Sequence, residues 1–331
     1  IGGCAAALAL AIKGFPSIVM EKAEEFSEIG AGIQLGPNVH KMFTHLGIQK
    51  AIENIAFYPN NIFMHDGITG ELITQVDTGP KFRERFGAPY GVIHRGDLLE
   101  VLVNACVASD LIQMHTSTEV DKYQEADELV RVTTKHGQEF KGCALIAADG
   151  IWSKIRSKII NDGSPIVSGH IAYRAVLPIN EVPEFINNED VVLWAGPKFH
   201  LVHYKLRRGE LFNIVAVFHS KKYVEGWDEF GDPDELYNHF KGARPEVRAL
   251  LKKIDVWKMW VLCDRVPVKE WTQNRVTLIG DAAHPMLQYL AQGACMAVED
   301  AVCLAEKVQE NAGDFASGFK AYEKTRYLRT G

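Results

Sequence analysis

The sequence predicts an α/β protein whose parallel-sheet domain is interrupted by an antiparallel β-sheet, and three observations carry this. An Ala- and Gly-rich helical run, "GGCAAALALAIKG", leads through Gly14 into the strand-like "PSIVMEK". Two further apolar runs, "CALIAADG" and "RVTLIGD", each leave a buried strand on an aspartate. Between them, from about Gly169 to Cys263, the pattern changes to alternating strands: "HIAYRAVL", "DVVLWAG", "KFHLVHYKL", "LFNIVAVFH" and "VWKMWVL". The reading is a Rossmann-like domain split over 1–168 and 264–331, with a β-sheet domain of 169–263 inserted between its halves.

Taken in order, the first fifty residues look like the second half of a dinucleotide-binding βαβ unit. Small residues from Gly3 to Ala9 let a helix approach a sheet closely, Gly14 ends it, and the strand closes on Glu21. Gly3 would be the last glycine of a GxGxxG turn, with Glu21 at roughly the 20-residue spacing of the acid that takes the ribose hydroxyls. The amino end of such a helix favours an anion through its unpaired N–H groups and its dipole. An ordinary Ala-rich helix followed by a strand explains this stretch too. Next, Gly30, Gly32 and Gly36 space an extended segment that lets the backbone approach a ligand, or simply turn. A helix starts near Pro37, a favoured first-turn residue.

"NIFMHD" and "ELITQV" suggest a hairpin across "GITG". "YGVIHRGDLLEVLVNACV" is a strand into a helix, with Arg95 at its mouth and Asp97 near its cap; Arg95 is either a ligand contact or a solvated charge. At "CALIAADGIWSKIRSKI" a strand meets Asp149 and Gly150, then a helix carrying Ser153 and Arg156. Ligands of doubly wound sheets sit beyond the strand carboxyl ends. Glu21, Asp149 and Asp281 together therefore argue for one nucleotide crevice. Inside the inserted domain, "RRGE" turns between two strands and short helices fall near Pro233 and Pro245. Along "HLVHYKL" the two-residue alternation puts His200, Val202 and Tyr204 on one face and Leu201, His203 and Lys205 on the other. After Asp281, "HPMLQYLAQGACMA" sets His284, Gln288 and Gln292 around Pro285 before a helix opens near Gly293 and Ala294. His284 reads as a structural loop histidine.

Composition narrows the function. With 47% hydrophobic and 24% charged residues over 331 positions, the chain suits a globular protein with one large or two smaller cores. A net charge of -6 with interspersed signs offers no basic stripe for nucleic acid and no polybasic membrane patch. No apolar run approaches the roughly 20 residues that span a bilayer. The six cysteines form no CxxC pair, so zinc is not expected, and they suit a reducing cytoplasm. The absent initiator Met, the opening on a helix and the ending at "YLRTG" suggest a fragment that lacks a first central strand and two glycines.

"GAGI", "HRGDLL", "IAADGIWSKIR" and "LIGDAAHP…QGACMAVEDA", in that order along essentially the whole chain, resemble the group A flavoprotein aromatic hydroxylases. That resemblance implies the p-hydroxybenzoate hydroxylase fold, FAD as cofactor, NADH or NADPH as co-substrate bound transiently at the surface, and O2. It implies the FAD ribose on Glu21, the adenine side near Arg95, and the pyrophosphate and ribityl chain near Asp281. It also implies that Asp149 and Gly150, with Arg156 nearby, serve both FAD and the nicotinamide. Gly293 and Ala294 would offer N–H groups to the flavin, their small side chains sparing the ring. Within the family, "HPMLQYLAQGACMA" and "HLVHYKL" are most similar to 3-hydroxybenzoate 6-hydroxylases. The implied reaction hydroxylates 3-hydroxybenzoate para to its phenol through a C4a-hydroperoxyflavin, giving gentisate. His200 would take the phenol proton, Gln288 would position the phenol oxygen or ring, and Tyr204 would fix the substrate.

Salicylate 1-hydroxylases and other hydroxybenzoate or hydroxypyridine monooxygenases remain alternatives, as does a flavin-free binding protein of the same fold. A homodimer is compatible with the resemblance. On this reading the fragment is expected to fold poorly and to bind FAD weakly.

Overall fold

A computed structural model describes residues 1–27, 30–126, 128–186, 188–220 and 229–331. Glu28 and Ile29, at the start of the glycine-spaced segment, lie outside the described residues. Helix α1 (Gly2–Ile12) is followed by β1 (Ser17–Met20), β2 (Gly32–Leu35), α2 (Pro37–His45) and α3 (Gln49–Ile55). The hairpin β3 (Asn61–Asp66) and β4 (Leu72–Asp77) precedes α4 (Pro80–Phe86). Strand β5 (Gly91–His94) then runs directly into α5 (Arg95–Val107). After β6 (Ile112–His115) come a meander, β7 (Val120–Ala126), β8 (Leu129–Thr134) and β9 (Glu139–Gly142), then β10 (Leu145–Ala147) and α6 (Lys154–Ile159). The central segment holds β11 (Ile166–Pro178), β12 (Val191–Gly196), β13 (Phe199–Leu206), β14 (Leu211–His219), β15 (Glu229–Phe230), α7 (Pro233–His239), α8 (Pro245–Leu251) and β16 (Lys258–Asp264). The chain closes with β17 (Thr272–Gln273), β18 (Val276–Leu278), α9 (Gly293–Glu310) and α10 (Phe315–Thr330).

Every residue of α1 from Cys4 to Leu10 is buried, so the helix has no polar face and sits inside the first core. Its small side chains let it pack closely: Gly2 faces Ala297 of α9, where an added Cβ would sit in ordinary contact at 3.5 Å. Gly14 takes a left-handed φ of +85° and releases the chain towards β1, a conformation glycine adopts at little cost. Strand β1 pairs in parallel with β6, and β10 in parallel with β18, as a nucleotide-binding half requires.

The second core lies under one face of an eight-stranded sheet of order β15-β16-β11-β14-β13-β12-β3-β4. Alternate residues, among them Tyr173, Leu201, Phe212, Ile214 and Phe218, pack there against Leu236 and Phe240 of α7 and its following turn and Leu250 of α8. The sheet is wider than the segment 169–263. It takes in the hairpin β3–β4, which joins β12 through a parallel β3–β12 pairing, with Ile62 opposite Val191 and Met64 opposite Leu193. The antiparallel sheet expected between the two halves is thus extended at one edge by a hairpin from outside 169–263, through one parallel pairing. The cause is long-range: the open edge of β12 needs hydrogen-bond partners, and a distant hairpin supplies them. No helix among the described residues is long and apolar enough to cross a membrane.

Candidate active site

A cavity of about 1690 Å³ lies between the nucleotide-binding half and the free face of the large sheet. Its first wall is the amino end of α1. Ile1, the N-cap, makes no side-chain hydrogen bond to the helix, and Gly2 and Gly3 line the cavity. A Cβ at Gly3 would press to 3.3 Å from Ala148. Glu21 borders the same space just after β1, its Oε1 accepting the Ala23 N–H at 3.0 Å. Arg95, Asp149 and Gly150 line it too. Asp149 also accepts the Lys154 N–H at 3.1 Å, which ties it to the start of α6.

The second wall follows β18. Asp281 follows β18 with its side chain accessible from the cavity it lines. Desolvation raises its carboxyl above the ordinary range, opposed by nearby His284 and Arg95. Gly293 and Ala294 open α9 on the cavity, and again the N-cap, Gln292, gives the helix no side-chain hydrogen bond. The Gln292 amide is engaged elsewhere: Asn38 Nδ2 donates to its Oε1 at 3.0 Å and to Glu299 Oε1 at 2.7 Å. His284 is buried, with Nε2 2.5 Å from Asp300 Oδ2; the same oxygen accepts the Gly280 N–H at 3.1 Å. Of the three polar residues around Pro285, Gln288 alone lines the cavity, while His284 and Gln292 hold the loop in place.

The third wall is the sheet face opposite the second core. His200, Val202 and Tyr204 of β13 project into the cavity, together with Val215 of β14, Arg174 of β11 and Trp260 of β16. Leu201 and His203 turn to the other side, Leu201 into the second core, and His203 accepts the Trp194 indole N–H at 3.0 Å. Burial lowers His200 from the usual histidine value to about 4, with His170 adding to the effect, so the ring is neutral at pH 7. Burial also pushes the Tyr204 phenol upward, against the pull of Arg174. Tyr204 explains Gly32: a Cβ there would overlap the Tyr204 ring at 2.6 Å, and the Gly32 N–H donates to Asn213 Oδ1 at 2.7 Å. The glycine thus serves a backbone-to-tyrosine contact at the cavity edge.

The structure brings Gly3, Glu21, Gly32, Arg95, Asp149, Gly150, Asp281, Gly293 and Ala294 to one cavity with His200, Tyr204 and Gln288. It does not bring Arg156, which was expected to reach the nucleotide cofactors. Arg156 is fully buried, its Nε and Nη2 donating to Asp162 Oδ2 at 3.0 and 2.6 Å. Its Nη1 donates to the carbonyls of Ala282 and Ala283 at 2.9 and 2.5 Å. Ser153 caps α6 in an orientation that turns Ile155 and Arg156 inward, so this guanidinium anchors the loop after Asp281. Sequence reasoning missed Arg174, Asn213 and Trp260. The signal for the first two was present, a cation and an amide in the middle of otherwise apolar strands.

Comparison with known proteins agrees with this architecture. The model of the family described as "FAD binding domain" matches residues 1–329, and the chain belongs to that family. It is 43% identical over 330 residues to a 3-hydroxybenzoate 6-hydroxylase of Polaromonas naphthalenivorans, covering all of this chain and 82% of that protein. It is 44% identical over 333 residues to 3-hydroxybenzoate 6-hydroxylase 1 of Aquipseudomonas alcaligenes, covering all of this chain and 84% of that one. Among solved structures, Klebsiella pneumoniae HpxO complexed with FAD and uric acid superposes with a TM-score of 0.88 at 25% identity, covering 99% of this chain and 82% of that one.

The residues present fit FAD. Two helices open on the cavity without side-chain caps, and a diphosphate or an anionic ring edge is the ligand such ends favour. Glycine or alanine stands at both openings, leaving room for the cofactor to approach the backbone.

Proposed function

We propose that this protein is an FAD-dependent, NAD(P)H-consuming monooxygenase that hydroxylates 3-hydroxybenzoate para to its phenol, giving gentisate. The observation that carries the reading is His200: a histidine held neutral by burial, on a flat sheet face, opening into the cavity with no hydrogen-bond partner among the described residues. The names of the relatives at 43% and 44% identity support the choice of substrate.

FAD, held between the helix openings at Gly3 and Gly293 and by Glu21, would supply the redox chemistry: a hydride acceptor for the nicotinamide and an electrophilic oxygen drawn from O2. The chain's own residues prepare the nucleophile. Neutral His200 accepts the phenol proton, raising electron density ortho and para to that oxygen; general-base help of this kind contributes roughly 10²–10⁴-fold. The para carbon is C6, so the product is the 2,5-dihydroxy acid. Gln288 and Tyr204, on facing walls, orient the ring, and the apolar pair Val202 and Val215 excludes water beneath it. We place the enzyme in the cytoplasm, whose reducing conditions suit its cysteine spacing.

The test is to load the protein with FAD, add NADH and 3-hydroxybenzoate in air, follow NADH loss at 340 nm and identify the product by chromatography. Gentisate formed in step with NADH oxidation is the expected result. Catechol from salicylate with no turnover of 3-hydroxybenzoate would overturn the substrate assignment.

A further inference from the structure

Arg174 stands where an apolar residue is the rule, in the middle of β11, in one row across the sheet with Val215, Val202, Leu193 and Met64. Its guanidinium lies 5.1 Å over the Trp260 ring, and Nη2 donates to Gln288 Oε1 at 2.6 Å. Its Nε is buried with no partner. Among the described residues no carboxylate lies within ion-pair distance of it. The three buried arginines among the described residues are different. Arg156 and Arg265 share Asp162, and Arg326 binds Glu299 and Asp300.

A guanidinium lowered by burial only to about 10 keeps its charge at neutral pH. Arg174 is half-buried with its Nε enclosed; an enclosed charge without a counter-ion is costly, and such a cost persists where a ligand supplies the missing charge. The side chain faces the cavity, so the missing anion is one that enters there. The floor has the matching shape. His200 and Arg174 stand on strands separated by β14, about 10 Å apart in the hydrogen-bonding direction, with Val202 and Val215 between them.

We infer that Arg174 is the carboxylate anchor of the substrate chamber: the ring of a hydroxylated aromatic acid lies on Val202 and Val215, with its phenol at His200 and its carboxylate on Arg174. This rests on the aromatic-acid reading given above and adds the residue that selects acids. The same contact orients Gln288. An arginine only donates, so the amide oxygen faces it and the Gln288 NH2 is left to serve the substrate.

The test compares wild type with Arg174→Met, which keeps the stem over Trp260, and with Arg174→Lys, which restores the charge. Binding of 3-hydroxybenzoate and of 3-hydroxybenzamide is titrated on the FAD-loaded proteins through the visible flavin spectrum, without NADH, and kcat/KM is measured separately. Arg174→Met should weaken the acid roughly 10–100-fold and leave the uncharged amide within about threefold, with Arg174→Lys in between. An acid-to-amide affinity ratio unchanged in Arg174→Met overturns the inference, as does a wild type that binds both equally. If wild type binds the acid through Arg174 but does not hydroxylate it, the anchor stands and the proposed reaction fails.

Discussion

His200 and His203 stand three residues apart on β13, and the strand sends them to opposite faces of the same sheet. Burial keeps both neutral, lowering His200 to about 4 and His203 to about 3. Their difference lies in the partner. On the core face the acceptor nitrogen of His203 is consumed by the Trp194 indole, and the ring is stacked on Phe212 at 5.1 Å between centroids. On the cavity face His200 has the tilted ring of Tyr289 at 5.8 Å between centroids and His170 close enough to act on it, and among the described residues its nitrogens take no hydrogen-bond partner. A depressed histidine pKa therefore does not mark a catalytic base. An unspent acceptor facing a cavity does.

The contrast is open to breaking. Replacing His200 with Asn should lower kcat for the phenolic substrate by roughly 10²–10⁴-fold while FAD stays bound; a loss under threefold would place the base elsewhere. Arg156→Met tests the other sorting, between cations that bind ligands and cations that bind the protein. It should cost about 3–5 kcal/mol in denaturant unfolding, because Asp162 and two carbonyls lose their donor. The KM for NADH of the folded fraction should not change, and a tenfold rise would return Arg156 to the cofactor. His203→Phe leaves the Trp194 N–H unpaired and should cost about 1–3 kcal/mol with kcat per bound flavin unaltered.

A separate effect is expected in pH. His200, His203 and His40 all have folded-state values near 3 to 4, below the unfolded value of 6.5. The unfolded chain therefore binds protons that the folded one excludes, and the stability they contribute is present above about pH 6.5 and lost as pH falls towards 4. Urea midpoints measured from pH 7.5 to 5 should fall, and by less in His203→Phe. A midpoint that rises on acidification would contradict the buried, neutral state of these rings.

What could be read from the sequence was what short-range periodicity controls. Two-residue alternation along β13 sorts His200 and Tyr204 from His203, because the pleat alone decides it. The strand-terminal acids Asp149 and Asp281 and the helix opening at Gly293 were legible for the same local reason. Arg156 was not, since whether a helical arginine faces a ligand or a carbonyl depends on how α6 packs against a loop more than a hundred residues away. The membership of β3–β4 in the large sheet was equally hidden, because a hairpin reads the same wherever its outer edge docks. Arg174 was visible as a cation amid apolar residues, but only the cavity it faces and the lack of a carboxylate beside it among the described residues give that placement meaning.

The pairing of β3 with β12 bears on how the molecule comes to exist. Ile62 and Val191 meet in the finished sheet, yet synthesis delivers one long before the other. Until β12 emerges the hairpin has no sheet to join, and the exposed Leu72, Ile73 and Val76 of β4 wait beside it. Contacts of such sequence separation are slow to close. The two lobes cannot mature one after the other like beads on a string: the cavity between them is completed only when strands from both sides of the interrupted domain have been released together.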